Sequence, residues 1–321
     1  MITQQTDGKS THSHRRARCS VVAAIAGACL VLAGCGSGSN DSSTSASSSP
    51  SSGGAGIPSN TKDQKIADLV PQQIRKQGYL SVASENYPTA VIVPEGGGAP
   101  TGWEPAIAQQ LGNLMGLDFR IKIVPFDSII PGLQAKRYDI AMGQIAINSE
   151  RRKVVIFVSE ADSTESFMVK KGSSLNIQTR QDMCGHTVAV LAGSVEEAAV
   201  VGTNPECSSA GKKPITVQKY GDQSAANLAV QSSRAEINVG STSTLTYVVK
   251  QHPDLFTLQG SFTRKGGDIT GIAIARTSYG KQLGKALQAG MSKLYQNGTM
   301  KAIMQKYNGG QGLIPQPKLY P

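Results

Sequence analysis

The amino-acid sequence predicts an α/β protein, because apolar runs of strand length alternate along it with segments of helical periodicity. Residues 80–83 form the first strand-like run, and Trp103, Ile107, Leu111 and Met115 then recur at the spacing of one helix face. Glycine or a helix-capping residue separates many of these segments, which marks where one element ends and the next begins. The pattern is typical of helices layered on a sheet.

The later elements continue this alternation. Further strands are predicted at residues 119–124, 139–142, 187–191, 236–239 and 271–275. Helices are predicted after the capping residue Asp127, from Val195, after the capping residue Asp222, and as two amphipathic segments near 279–296 and 299–306.

Residues 143–151, Gly-Gln-Ile-Ala-Ile-Asn-Ser-Glu-Arg, have the chemistry of an anion site. They follow the strand at 139–142, and Asn148 or Ser149 is suited to cap a helix whose first turn holds Arg151. Free backbone N–H groups at such a turn, together with a forked guanidinium, bind a carboxylate. The alternative is that Arg151 is one solvated arginine of a charged turn.

The first 35 residues have the organisation of an export signal. Four basic residues precede an apolar run at 21–33, and the sequence Leu-Ala-Gly-Cys ending at Cys35 resembles the bacterial lipobox. This resemblance implies cleavage before Cys35 and lipidation of its thiol and its new amino group. Thirteen apolar residues are too few to span a bilayer. An ordinary secretory signal is the alternative, and Arg15-Arg16 leaves both Sec and twin-arginine export open.

Residues 36–61 are mostly Ser and Gly with few apolar side chains, which predicts a flexible tether. The remaining 62–321 are long enough for one large or two medium domains. The formal charge of the chain is +10, but its lysines and arginines are scattered, so a nucleic-acid partner is not expected.

The order of segments resembles the extracellular solute-binding proteins of ABC importers, specifically the polar amino acid family. The matching segments are 80–88 (LSVASENYP), 100–104 (PTGWE), 124–133 (VPFDSIIPGL), 138–155 (YDIAMGQIAINSERRKVV), 184–194 (CGHTVAVLAGS) and 297–307 (NGTMKAIMQKY). Together they run through nearly all of residues 65–310.

The resemblance implies a two-lobed, periplasmic-binding-protein-like fold of type II with two crossover hinge strands. We expect these crossovers near 166–170 and 271–276. One lobe then comprises residues 62–167 and 273–321, and the other comprises 168–272. The ligand of such a protein lies between the lobes, at the carboxyl ends of the strands.

The resemblance also implies which residues bind the ligand. Arg151 matches the arginine that holds the ligand α-carboxylate. Trp103 either extends the aromatic wall of the site or packs in the core. The other matching positions are Gly143, Gln144 and Ala146 in the backbone after the strand, Tyr87 and Phe126 as aromatic walls, and Ser194 and Val195 at a helix start in the second lobe.

The sequence departs from the family pattern at the amino end of the ligand. Ser84 and Ser241 stand where the family usually has carboxylates that bind the α-ammonium group. An unpaired buried ammonium costs several kcal/mol. The ligand therefore lacks an amine there, or aromatic rings hold it, or another acid pairs with it, such as Glu85, Glu160 or Asp162.

Five cysteines divide between the leader and the mature chain. Cys19 and Cys29 lie in the leader and Cys35 is the lipid site, which leaves Cys184 and Cys207 in an oxidising space. We expect these two to form a disulfide. The alternatives, two buried thiols or a metal pair, lack neighbouring ligands.

We therefore expect a monomeric substrate-binding lipoprotein of an ABC importer on the outer face of the cell membrane. It would capture a small carboxylate-bearing solute, an amino acid or a related compound, without a cofactor or metal. Its partners would be a membrane permease and a separate ATPase. The alternatives are a solute-sensing lipoprotein and a cyclohexadienyl-dehydratase-like enzyme with Glu85 or Glu160 as general acid or base.

Overall fold

The computed structural model describes residues 56–264, 268–307 and 312–321. The expected signal at 1–35, its lipidation site Cys35 and nearly all of the tether lie outside these residues. No helix within the described ranges is both long and apolar enough to cross a membrane. The described chain forms two lobes, each built on one β-sheet.

The described residues form eleven strands. They are β1 (Tyr79–Ser84), β2 (Asp118–Ile123), β3 (Ile140–Ala141), β4 (Val155–Asp162), β5 (Glu165–Lys170), β6 (Thr187–Leu191), β7 (Thr216–Tyr220), β8 (Ile237–Ser241), β9 (Phe256–Phe262), β10 (Ile269–Ala275) and β11 (Leu319–Tyr320). The first lobe contains a six-stranded sheet in the order β11-β4-β10-β3-β1-β2, and the second a five-stranded sheet in the order β7-β6-β8-β5-β9.

Both sheets are mixed. In the first, β1 pairs in parallel with β2 and β3, whereas β10 runs antiparallel between β3 and β4. In the second, β6 pairs in parallel with β7 and β8, whereas β5 runs antiparallel between β8 and β9. The carboxyl ends of the parallel strands are therefore directed to one edge of each sheet.

The helices cover the sheets. They are α1 (Gln64–Leu69), α2 (Gln72–Gln77), α3 (Trp103–Met115), α4 (Ile129–Gln134), α5 (Ser149–Val154), α6 (Val195–Val201), α7 (Asn204–Ser209), α8 (Gln223–Gln231), α9 (Thr242–Gln251), α10 (Gly280–Gln296) and α11 (Thr299–Lys306). The described ranges also contain 3-10 turns at Phe126–Ser128 and Arg180–Met183.

The core of the first lobe lies between its sheet and the helices α3 and α10. Leu80, Leu111, Ile274 and Leu287 are fully buried in it. Gly290 allows α10 to approach α3, because a Cβ at this position would lie 2.6 Å from Leu111 Cδ2. The apolar stripe of α3 that the sequence pattern predicted is therefore the face that packs.

The second lobe has apolar clusters on both faces of its sheet. Phe167, Val188 and Val239 pack on one face with Cys207, and Met168 and the helices α8 and α9 form the other cluster. The strands β5, β6 and β8 are buried along nearly their whole length, which explains their continuous apolar runs.

The chain passes from the first sheet to the second between Asp162 and Glu165 and returns between Phe262 and Ile269. The two crossings meet where Ser163 N–H donates to Asp268 O at 3.0 Å. The expected crossovers at 166–170 and 271–276 lie a few residues later, inside β5 and β10. An apolar run marks the interior of a strand and carries no information about which sheet the strand joins.

Local signals located most predicted elements. The strand at 187–191 and the helix at 299–306 have the predicted bounds, and Asn148 and Asp222 cap their helices. Asp127 was expected to cap a helix and does not, because it lies inside the 3-10 turn that precedes α4. The sequence analysis did not predict the helices α1, α2, α7 and α9 or the strands β4, β7, β9 and β11.

The predicted disulfide is confirmed. Cys184 and Cys207 are bonded, with their Cα atoms 5.6 Å apart, and the bond ties the end of the 3-10 turn at Arg180–Met183 to α7. Cys207 is fully buried in the cluster that also contains Val188.

Replacing Cys184 and Cys207 with serine together is expected to lower the free energy of unfolding by about 3 kcal/mol, because the unfolded chain regains the entropy of an open loop. Urea unfolding of the double variant measures this. The same urea series on the oxidised and the reduced wild-type protein is the control, and equal stability of those two forms would contradict the expectation.

Candidate functional site

A cavity lies between the two lobes and contains about 320 Å³ of empty volume, which includes space open to solvent. Residues from both lobes line it: Glu85, Tyr87, Phe126, Gly143, Gln144, Ala146, Arg151, Ser163, Glu165, Leu191, Ser194, Val195, Glu196, Ser241, Arg264 and Thr270. We call this space the interlobe cavity. It contains every residue expected at the ligand site except Ser84 and Trp103.

Arg151 reaches the interlobe cavity from the first turn of α5. Asn148 caps this helix, and its Oδ1 accepts the Arg151 backbone N–H at 2.8 Å. The guanidinium Nη1 donates to Ala146 O and Nη2 to Gly193 O, each at 3.0 Å, so Arg151 joins the two lobes. Its carbon Cζ lies 5.3 Å from the centre of the Phe126 ring. Burial lowers the pKa of Arg151 to about 10, which leaves the side chain charged at neutral pH.

The loop at 143–146 has an unusual backbone conformation. Gly143 has φ of 152° and Gln144 has φ of 48°, a left-handed conformation that is rare for a residue with a side chain. Glu104 Oε1 accepts the Gln144 backbone N–H at 2.7 Å, which supports this conformation from below. The Gln144 side chain extends to the second lobe, where Nε2 donates to Ser243 Oγ at 3.3 Å.

Tyr87 provides a second bond between the lobes. It is 4% exposed, and its hydroxyl accepts the Ser241 backbone N–H at 3.0 Å. Burial is the main cause that raises the pKa of Tyr87, so the phenol stays neutral.

On the second lobe, Ser194 Oγ caps α6 by accepting the Glu197 backbone N–H at 3.0 Å.

Two expected site residues lie elsewhere. Trp103 is 2% exposed in the core of the first lobe, and it lines a neighbouring cavity with Thr242 and Met304. Ser84 is buried at the end of β1, beneath Gly143. Trp103 is directed inward because it begins the buried face of α3, and the spacing that predicts such a face is the same for core and for site residues.

The three acids that the sequence suggests as partners of an ammonium group lie in different environments in the structure. Glu85 lines the interlobe cavity, is 2% exposed, and neither of its carboxylate oxygens has a hydrogen-bond partner among the described residues. Glu160 is buried inside the first lobe and does not line the interlobe cavity, and Asp162 is exposed. Glu85 is therefore the acid of the three that a bound solute can contact.

Three charged residues of the site were not found from the sequence. Glu165 begins β5, Glu196 lies in the first turn of α6, and Arg264 lies between β9 and β10. Glu196 adjoins the predicted pair Ser194 and Val195, so its position in that turn was a usable signal. Glu165 and Arg264 had no local signal, because their place depends on where the chain changes sheets.

These residues form an acid-rich wall. Arg264 Nε lies 3.2 Å from Glu165 Oε1 and 3.2 Å from Asp268 Oδ1. Burial, followed by the charge of Glu196, raises the pKa of Glu165 well above its usual range. Burial and the charges of Glu196 and Glu104 likewise raise the pKa of Glu85. No three acidic, histidine or cysteine side chains of the described residues group as a metal site.

Replacing Tyr87 with phenylalanine is expected to favour separation of the lobes. The change removes the acceptor of the buried Ser241 N–H, and a buried N–H without a partner costs about 1–3 kcal/mol. Small-angle X-ray scattering should report a larger radius of gyration for this variant at neutral pH.

Tyr138→Phe is the control, because no hydrogen bond is formed by its hydroxyl among the described residues and it packs within the first lobe. Equal radii of gyration for wild type and Tyr87→Phe would show that this bond does not hold the lobes together.

Two lobes that enclose a polar cavity, joined by two chain crossings, define a solute-binding protein of the periplasmic type. Residues 80–310 match the family model of bacterial extracellular solute-binding proteins, family 3, and the chain belongs to that family.

Similar proteins agree with this assignment. The chain is 26% identical over 239 residues to the L-cystine-binding protein TcyJ of Escherichia coli strain K12, which covers 74% of this chain and 85% of the relative. It is 27% identical over 183 residues to a putative ABC transporter arginine-binding protein 2 of the same strain, covering 57% of this chain and 71% of the relative. The solved structure of an ancestral arginine-binding protein bound to arginine matches with a TM-score of 0.63 and 27% identity, covering 72% of this chain and 98% of that one.

The chain is thus a substrate-binding protein of the ABC importer class and not an enzyme, since the family binds solutes for transport. The expectation of a solute-binding function is confirmed, and the dehydratase alternative is not supported.

Proposed function

We propose that this protein captures an amino acid that carries a cationic group, with Arg151 binding its carboxylate and Glu85 binding its cation. The observation that carries this proposal is that a guanidinium group and a buried carboxyl group without a partner line the same cavity. Glu85 is buried there, and its two oxygens have no partner among the described residues. A buried carboxylate without a partner is costly, so a cationic group of the solute is the natural partner.

The charge inventory of the interlobe cavity supports the same ligand class. Three carboxyl groups line it, those of Glu85, Glu165 and Glu196, against two guanidinium groups, those of Arg151 and Arg264. Arg264 Nε is paired with Glu165 and Asp268, although its Nη2 has no partner among the described residues. Arg151 donates only to backbone carbonyl groups there, so it is the guanidinium without an acidic partner of its own. A solute with one carboxylate and additional positive charge complements this lining, whereas a dicarboxylate would face acids without partners.

The relatives agree with this class. Two of the proteins compared above are named for arginine, and one for cystine. The usual acids at the positions of Ser84 and Ser241 are replaced, and Glu85 and Glu196 offer negative charge nearby in their place. The ligand-contact residues proposed on the first lobe are Tyr87, Phe126, Gly143, Gln144, Ala146 and Arg151, and those on the second lobe are Ser194, Val195, Glu196 and Ser241.

The finer organisation of the chain belongs to the same proposal. We propose cleavage after residue 34, lipidation of Cys35, a flexible tether at 36–61, and a monomeric two-lobed body that meets a permease and its separate ATPase at the membrane. Two or more acyl chains on one residue anchor a protein firmly. A Cys35→Ala variant should leave the membrane fraction, and its retention there would contradict lipid anchoring.

Calorimetry tests the ligand class. We expect the full chain to bind L-arginine more tightly than L-glutamine. It should bind only weakly an α-keto acid of similar size that has no cationic group. Tight binding of the keto acid, or of a dicarboxylic acid, would contradict the proposal. Mass spectrometry of any solute that co-purifies with the protein provides an independent identification.

A further inference from the structure

The turn that joins β6 to α6 carries a contact between the two lobes. Gly193 lies in this turn, and its carbonyl oxygen accepts a bond from Arg151 Nη2 at 3.0 Å across the cleft. The next residue, Ser194, lines the interlobe cavity. We call residues 192–194 the closing turn. Because of this contact, the way the lobes meet depends on the orientation of the Gly193 carbonyl group.

A larger residue in place of Gly193 would disturb this contact. A Cβ atom at its position would lie 3.2 Å from both Cα and Cβ of Asp127, which belongs to the 3-10 turn of the first lobe at Phe126–Ser128. Gly193 also has φ of 74°, a left-handed conformation that favours glycine. Glycine has the greatest backbone freedom of any residue, so the closing turn needs other groups to hold its conformation.

Hydrogen bonds hold the peptide groups on both sides of Gly193. Glu197 Oε2, from the first turn of α6, accepts the Gly193 backbone N–H at 2.7 Å. The Ser194 backbone N–H donates to Leu191 O at 3.2 Å. Because the N–H and C=O groups of a trans peptide point in opposite directions, this second bond directs the Gly193 carbonyl away from Leu191 and towards Arg151.

The Glu197 side chain is itself held in place. Its Oε1 lies 2.6 Å from Lys219 Nζ of β7, and its own backbone N–H donates to Ser194 Oγ at 3.0 Å. The Glu197 side chain is 17% exposed, whereas that of Lys219 is largely in solvent. The bonds that Glu197 forms with Ser194 and Gly193 resemble a capping box displaced by one residue. Together they tie the closing turn to α6.

We propose that Glu197 is a positioning residue, which holds the Gly193 peptide so that the closing turn meets Arg151 and keeps the cleft closed. Glu197 does not line the interlobe cavity, so it acts through the closing turn and not by touching a solute. The part of this inference that concerns the solute rests on the proposed function, in which Arg151 and Ser194 are ligand contacts.

Small-angle X-ray scattering of the full chain without added solute tests whether Glu197 acts on closure. Glu197→Ala removes the acceptor of the Gly193 N–H, so its radius of gyration should be larger than that of the wild type. Arg151→Ala should also enlarge the radius, since it removes the other partner of the closing turn. The double variant should have the radius of Arg151→Ala alone, because both changes act through one contact and are therefore not additive.

Glu236→Ala is the matched control, and its radius should equal that of the wild type. Glu236 also accepts a backbone N–H, that of Thr187 at 2.9 Å, and is bonded to the side chain of His186. These bonds lie at the other end of β6 and outside the interlobe cavity. If Glu197→Ala and Glu236→Ala enlarge the radius equally, Glu197 only stabilises the second lobe and the inference is wrong.

Glu197→Gln is the conservative variant. Its amide oxygen can still accept the Gly193 N–H, so its radius of gyration should lie closer to that of the wild type than to that of Glu197→Ala. A radius of Glu197→Ala equal to that of the wild type would overturn the inference.

L-Arginine affinity separates this inference from the proposed function. If the wild type binds L-arginine, Glu197→Ala should bind it about tenfold more weakly, and Glu236→Ala should bind it within about twofold of the wild type. Equal affinity of Glu197→Ala and wild type would contradict the positioning function. Failure of the wild type to bind L-arginine would contradict the proposed ligand class, and the scattering comparison would still decide whether Glu197 holds the closing turn.

Discussion

Replacing Arg151 with alanine is expected to weaken L-arginine binding by about a hundredfold or more. Each charge-assisted hydrogen bond to a carboxylate contributes about 1.5–3 kcal/mol, and the change removes a paired donor fork. It also removes the bond from Nη2 to Gly193 O, which joins the lobes in the closed arrangement. Arg151→Lys should recover only part of the affinity, because an ammonium group cannot bind the carboxylate through two parallel bonds. Isothermal titration calorimetry measures both.

Arg152→Ala is the matched control, because Arg152 is the next residue of the same short helix. Its guanidinium stacks over the Tyr320 ring at 5.2 Å and does not line the interlobe cavity. We expect its affinity to match that of the wild type within about twofold. An Arg151→Ala protein that bound the solute as tightly as Arg152→Ala would refute the carboxylate clamp.

Replacing Glu85 with glutamine is expected to have a comparable effect, with a different dependence on pH. Removing one partner of a buried charge pair costs about 2–5 kcal/mol, so L-arginine affinity should fall by at least thirtyfold. Burial, with the nearby charges of Glu196 and Glu104, raises the pKa of Glu85 well above its usual 4.5. Without a cationic solute the side chain therefore keeps its proton to a higher pH.

The sign of the pH dependence follows from that proton. A cationic solute binds the ionised form of Glu85, so binding releases a proton, and wild-type affinity should increase as the pH rises from 4.5 towards the raised pKa. The number of released protons can be determined by measuring the binding enthalpy in two buffers that have different ionisation enthalpies. Solute binding to the Glu85→Gln variant should release fewer protons.

Asp162→Asn serves as the control for Glu85, since the sequence offered both acids for the same function and Asp162 is exposed. It should retain the affinity and the proton release of the wild type. If instead Asp162→Asn loses affinity and Glu85→Gln does not, the solute cation lies in a different part of the cleft from the one proposed.

The contacts between the lobes explain how such a protein can respond to its solute. Three hydrogen bonds described above cross the cleft, from Arg151 to Gly193, from Ser241 to Tyr87 and from Gln144 to Ser243. Arg151, Tyr87 and Gln144 also line the interlobe cavity, so the groups proposed to bind the solute are those that close the cleft. A solute that contacts both lobes therefore shifts the population towards the closed form.

Much of the fold was predictable because its signals are local. A capping side chain, a period of apolar residues and a glycine turn act within a few residues, and they located α3, α6, α11 and β6 from the sequence. Local signals of the same kind also predicted that Arg151 follows a strand and lies beside the capping residue Asn148. The disulfide followed from counting cysteines and from the expectation of export.

The amino-acid sequence by itself determined the α/β class, the family match and the guanidinium that faces the cleft. Tertiary structure alone decided which charged residues share the cavity with it, because Glu85, Glu165, Glu196 and Arg264 come from four separate chain segments that converge only after the chain has crossed between its two sheets. It also decided that Glu104 accepts the backbone N–H of Gln144, 40 positions later in the chain. Local patterns report the conformation of neighbouring residues, whereas the charge of a binding site depends on side chains that are distant in sequence and close in space.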